Sequence, residues 1–120
     1  MRWKITDPLG NEIFLKNSTY TEHILASHGA KDAMYRAQIE VEAQRTLKAP
    51  TMIVFDGTRN LYYRAIGLVD EMDELLKIRT LKVVVETDRT PQEVVTWTIL
   101  RKGDNVKGAI IYDSISGKQI

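Results

Sequence analysis

Beyond Pro50 the chain is a succession of short apolar runs, each closed by residues that cannot continue a strand. Residues 52–55, 61–66, 81–86, 94–100 and 106–112 are rich in Val, Ile, Tyr and Trp, side chains that suit a pleated, half-buried surface. Asp56-Gly57-Thr58, Asp88-Arg89-Thr90-Pro91 and Lys102-Gly103-Asp104-Asn105 separate several of them with turn chemistry. This punctuation predicts an antiparallel sheet of four to five strands. Residues 68–79 read as a short helix or loop, since Leu68, Met72, Leu75 and Leu76 fit helical spacing.

Before Pro50 the period changes. Trp3, Ile5, Ile13 and Leu15 flank Asp7-Pro8-Leu9-Gly10-Asn11, which predicts an N-terminal β-hairpin. Thr19-x-x-Glu22 has the form of a capping box, so a helix is expected from there to His28-Gly29. Tyr35, Ile39, Ala43 and Leu47 recur every fourth position and predict a second helix over 31–48, ended by Pro50. A one-sided helix needs a sheet to cover its stripe. The expected fold is therefore α+β in a single domain: a hairpin extension over 1–17, a core over 18–112 made of two helices and then the sheet, and a tail over 113–120.

Side chains alternate along a strand, so parity sorts them onto two faces. The sets Leu61, Tyr63, Ala65; Leu81, Val83, Val85; and Val95, Trp97, Ile99 are expected against the helices. The opposite face would then carry Tyr62, Arg64, Lys82, Thr96 and Thr98, two cations, a phenol and two hydroxyls suited to holding a phosphate. On a plain solvated sheet face the same residues would be ordinary.

Composition narrows the chemistry. There is no cysteine, which excludes disulfides and thiolate metal sites, and 120 residues that are 43% hydrophobic can bury one core. A net charge of +1 argues against holding nucleic acid by bulk electrostatics. From Ala49 onward ten Lys or Arg meet ten Asp or Glu, but four of those acids are Asp70, Glu71, Asp73 and Glu74, so a locally basic face is possible. The sequence carries no signal-peptide pattern and no membrane-length apolar run, so a cytoplasmic protein without a membrane partner is expected. Dinucleotide, P-loop, zincin and hydrolase-elbow motifs are absent. His23 and His28 are five apart and diverge on a helix, and the acidic stretch lacks the spacing of a calcium loop, so no metal or other cofactor is expected.

Metal-free RNA cleavage is open to these residue types. It needs a group to take the 2′-hydroxyl proton, another to protonate the leaving oxygen, and cations or hydroxyls for the charge on phosphorus. His23 on the first helix is the natural proton carrier, with Arg64, Lys82 and Thr96 from the sheet.

The order of features carries a resemblance. His23-Ile24, then His28, a second helix ending in Leu47-Lys48-Ala49-Pro50, then Tyr62-Tyr63-Arg64, Leu81-Lys82-Val83-Val84-Val85 and Val94-Val95-Thr96-Trp97 together resemble the phage-associated branch of the barnase/EndoU/colicin/RelE-like nucleases. The resemblance spans roughly residues 20–112. It implies two helices followed by an antiparallel sheet, and a metal-independent endoribonuclease of a mobile element or toxin system, acting on cellular RNA such as tRNA and held by an antitoxin or immunity partner. Carried over, it implies roles for His23, His28, Arg64 and Thr96. Lys82 is added from the sheet face to the catalytic set, and His28, Tyr62, Tyr63, Trp97 and Thr98 are expected around the substrate. Two other readings fit the same residues: a non-catalytic RNA- or protein-binding module, and an immunity-type protein that sets the Asp70-to-Glu74 stretch against a basic partner.

Overall fold

The computed structural model describes residues 1–25, 36–37, 39–69, 76–100, 106–115 and 118–119. Its strands are β1 (Trp3–Thr6), β2 (Glu12–Leu15), β3 (Met52–Phe55), β4 (Arg59–Val69), β5 (Leu76–Glu86), β6 (Gln92–Ile99), β7 (Ala109–Asp113) and β8 (Lys118–Gln119). Two helices are described, α1 (Thr19–Leu25), wound as a π-helix, and α2 (Glu40–Lys48). All eight strands join one sheet in the order β1-β2-β6-β5-β4-β3-β7-β8.

This corrects the expected fold. The N-terminal hairpin is not an extension, because β2 pairs in parallel with β6 through Ile13↔Gln92 and Phe14↔Glu93. The sheet is accordingly mixed, curled and eight-stranded rather than an antiparallel set of four to five following two helices, and the barnase-like arrangement is not the one adopted. Residues 68–69 and 76–79 belong to β4 and β5, paired as far as Val69↔Leu76, where a short helix or loop was expected. The β4–β5 ladder recruits them because continuing it pairs alternate backbone amides and carbonyls across the two strands. The acidic stretch between them lies outside the described residues, as does the predicted helix stop at His28-Gly29. Thr19 does not cap α1, since helical backbone already begins at residue 17. Of the second predicted helix, the continuous described part is α2, which ends before Pro50 with the Ala49 amide on the Arg45 carbonyl at 2.9 Å.

Cross-strand rows fix the two faces, because residues directly opposite share a side. One row runs Tyr112, Ile53, Tyr62, Val83, Trp97 across β7, β3, β4, β5 and β6, and its members lie in or against the main core with Ile13, Leu15, Ile24, Ala43 and Leu47. This inner face carries the helices. The outer rows are Val54, Leu61, Val84, Thr96 and Met52, Tyr63, Lys82, Thr98. In β4 the parity is therefore the reverse of expectation: Tyr62 and Ile66 face inward, and Leu61, Tyr63 and Ala65 outward.

Tyr62 faces inward because its hydroxyl has a partner there. It donates a hydrogen bond to Asp7 Oδ2, from the tip of the hairpin. Burial first, and then the bond to Asp7, push the phenol well above its ordinary pKa, so it stays a donor. Asp7 also accepts the amides of Leu9 at 3.0 Å and Asn11 at 2.8 Å and the Asn11 side-chain amide at 3.1 Å, which shapes the turn in which Gly10 takes φ +85°. One buried carboxylate thus folds the hairpin and pins it across the sheet.

The other end of the hairpin is held by aromatic and charged contacts. Trp3 stacks on the fully buried Trp97 with centroids 6.3 Å apart, and Tyr20 of α1 tilts against the same indole at 6.1 Å. Arg2 lies 3.7 Å over the Tyr20 ring and pairs with Glu40 of α2, which also accepts the Trp3 indole N–H at 3.0 Å. The Arg2 hydrogen bond, with help from Trp3, holds the Glu40 carboxyl below the usual glutamate range.

Two outcomes follow. Asp7→Ala should cost roughly 3 kcal/mol in urea unfolding, because it strands several donors at once, whereas Tyr62→Phe should cost only about 1 kcal/mol. Glu40→Gln should lower stability near neutral pH, where the wild-type carboxylate is charged. The difference from wild type should shrink as pH falls below the usual glutamate range and through the lowered folded value, read as converging unfolding midpoints.

Candidate functional site

The β5–β6 ladder contains an irregularity. Val84 pairs with Thr96 but Val85 pairs with Val94, so Val95 is an extra residue, a β-bulge. Without it Glu93 and Thr96, an odd number of positions apart, would point to opposite faces. With it both lie on the outer face, in the rows headed by Glu86 and Val84. The bulge also lets both Val94 and Trp97 bury on the inner face.

Beside the bulge α1 packs against β6. Tyr20 and Ile24, four apart, turn into the core, and Thr19 and His23, likewise four apart, turn into a cleft of about 360 Å³. The sheet contributes Glu86, Glu93 and Thr96 to this cleft, and the turn between β5 and β6 contributes Arg89. The His23 side of α1 is exposed rather than sealed among aliphatic neighbours.

Glu86 and Glu93 stand directly opposite each other, an unfavourable pairing of like charges unless cations intervene. They do. Glu93 accepts Lys16 at 3.1 Å on one oxygen and Arg89 at 2.7 Å on the other, while Glu86 takes the Arg59 Nε–H at 2.9 Å. Lys16 is within reach because the parallel β2–β6 pairing sets Phe14 beside Glu93, two residues earlier. Thr96 Oγ1 accepts a hydrogen bond from Arg36 at 2.8 Å.

Of the residues singled out from sequence, His23 and Thr96 meet in this cleft. Lys82 and Thr98 pair with each other on the same outer face, one row beyond Thr96, and do not line it. Tyr63 lies opposite Lys82 but is only 3% exposed. Arg64 is on the inner side, bound to the Glu42 carboxylate of α2 and to Thr46 Oγ1 at 3.3 Å, so it fastens β4 to the helix instead of meeting a substrate. Tyr62 and Trp97 are fully buried and cannot stack on a base. His28 lies outside the described residues.

Sequence reading missed Glu86, Arg89 and Glu93. A signal was present: two acids bracketing a turn face each other once the hairpin closes, and each then needs a cation. Among the described residues no group of three or more metal-binding side chains converges, and no described helix is long and apolar enough to cross a membrane. Comparison with protein families, curated proteins and solved structures finds no match to this chain.

His23 and Arg89 are exposed, and Glu86 is half-buried in a surface ion pair, so His23→Ala, Glu86→Gln and Arg89→Ala should each shift the unfolding free energy by less than about 1 kcal/mol. Urea denaturation of the three variants checks this.

Proposed function

We propose that the chain is a metal-independent endoribonuclease that cleaves by transesterification in the cleft beside α1. The observation that carries the reading is that an imidazole, a carboxylate pair, a guanidinium and two hydroxyls line one open cleft. These are the groups the reaction requires when no metal supplies the charge.

Glu86 is the base: it takes the 2′-hydroxyl proton as that oxygen attacks phosphorus. Glu93 suits this less well, since both its oxygens are engaged by cations. His23, as imidazolium, gives a proton to the departing 5′-oxygen, and the products are a 2′,3′-cyclic phosphate and a free 5′-hydroxyl. Arg89, held by Glu93, and the hydroxyls of Thr19 and Thr96 take the charge on the phosphoryl oxygens. Arg89 replaces Arg64 and Lys82 in the phosphate role. The near-neutral chain as a whole fits local recognition of one phosphodiester better than tracking along a long duplex.

Incubating the protein with tRNA in excess EDTA should produce fragments with cyclic phosphate ends. His23→Ala and Glu86→Gln should each slow cleavage by about 100-fold or more. RNA left intact while it is bound in a salt-sensitive way would replace the enzyme with a binding module, and cleavage at the wild-type rate by His23→Ala would remove the mechanism.

A further inference from the structure

Arg36 is held from two sides by consecutive residues of β6. Its carbonyl accepts the Trp97 indole N–H at 3.1 Å, and its Nη1 donates to Thr96 Oγ1 at 2.8 Å. Trp97 faces the core and Thr96 the opposite side, so only a residue at the edge of β6 can reach both. That edge is open to Arg36 because β2 pairs with β6 only at Gln92 and Glu93. The buried indole fixes the backbone of Arg36, and the guanidinium is thereby delivered to a hydroxyl that lines the cleft.

The direction of this hydrogen bond has a chemical consequence. A guanidinium can only donate, so Thr96 Oγ1 must accept from it. A hydroxyl that accepts from a cation has its single O–H left to give, and that O–H is polarised by the charge behind it. We propose that Arg36 is a positioning residue that turns Thr96 into a dedicated hydrogen-bond donor for an anionic phosphoryl oxygen in the cleft. The cleft is thereby selective for phosphate monoanions and diesters over neutral or cationic ligands. The two nearby carboxylates do not cancel this, because Glu93 is paired with Lys16 and Arg89, and Glu86 with Arg59. The inference rests on the nuclease reading for the identity of the anion, a phosphodiester of RNA, and on the Arg36–Thr96 bond for the rest.

Inorganic phosphate is the probe, titrated into the full chain while the backbone amide resonance of Thr96 is followed by NMR. Arg36→Gln and Thr96→Val should each weaken phosphate binding about 5- to 10-fold, consistent with loss of one charge-assisted hydrogen bond. The double variant should be no weaker than Thr96→Val alone, since Arg36 acts through the hydroxyl. Thr96→Ser and Arg36→Lys should retain most of the affinity. The near-UV circular dichroism of the Trp3–Trp97 stack reports whether Arg36→Gln has disturbed the fold. If it has, the comparison of Thr96→Ser with Thr96→Val decides. A further 5-fold loss on adding Arg36→Gln to Thr96→Val would mean that Arg36 grips the anion directly and overturns the proposal, as would equal affinity in Thr96→Val and wild type. Phosphate binding with this pattern but intact RNA in EDTA would sink the nuclease and leave the anion site standing, and cleavage without phosphate binding would do the reverse.

Discussion

The parallel pairing of β2 with β6 is the contact on which the rest depends. It comprises only two residue pairs, Ile13↔Gln92 and Phe14↔Glu93, yet it carries the whole hairpin onto the sheet. Once there, the hairpin turn lies where Asp7 can accept the Tyr62 hydroxyl, and its far end lies where Trp3 can stack on Trp97. The same pairing sets Lys16 beside Glu93, which neutralises part of the carboxylate pair in the cleft. Because the pairing stops at Glu93, the edge of β6 beyond it is left for α1 and Arg36. A short ladder can decide this much because the Asp7 carboxylate and the Tyr62 phenol it brings inward satisfy each other on arrival, and either one buried without its partner would be costly. On the ladder itself Gln92 Oε1 is buried without a partner.

The cleft owes its composition to a single extra residue. Val95 changes the phase of β6 partway along its length, so the strand gives Val94 and Trp97 to the core and Glu93 and Thr96 to the opposite side. Bulges beside functional sites commonly re-aim side chains in this way. Here the result is that acid and hydroxyl residues from one strand join His23 and Thr19 from a helix and Arg89 from a turn. The supporting charges come from further afield, from Arg59 on β4 and Lys16 after β2.

The expectation of a cationic sheet face placed Lys82, Thr96 and Thr98 on the correct outer side but misplaced Tyr62 and Arg64, for a definite reason. It assumed that apolar residues alone mark the inner face and that parity runs unbroken along each strand. Tyr62 violates the first assumption, since a phenol with a buried acceptor packs as well as an apolar ring, and Arg64 follows it inward to meet Glu42. Val95 violates the second, which moves Val94 to the core side and Glu93 to the outer side without altering where Thr96 and Thr98 point. The central strands, most of the turns between them and the pairing of Leu81, Val83 and Val85 with the core were nevertheless legible, because they depend on local period and turn chemistry. His23 stood out as a candidate for the same kind of reason: only two histidines occur in this chain.

By itself the sequence determined where most of the strands and turns fall, though not the far ends of β4 and β5, that the N-terminal segment makes a hairpin around Asp7 and Gly10, that Pro50 ends a helix, and which residue types with proton-transfer or phosphate-binding chemistry are present. Those properties reside in single residues and their near neighbours. Only the tertiary structure decided that the hairpin joins the sheet in parallel, that Tyr62 and Arg64 face the helices, and that Glu86, Arg89 and Glu93 stand with His23 and Thr96. These outcomes depend on which distant groups satisfy one another. Asp7 lies 55 positions from Tyr62 and Arg36 lies 60 from Thr96, separations across which no local period carries information.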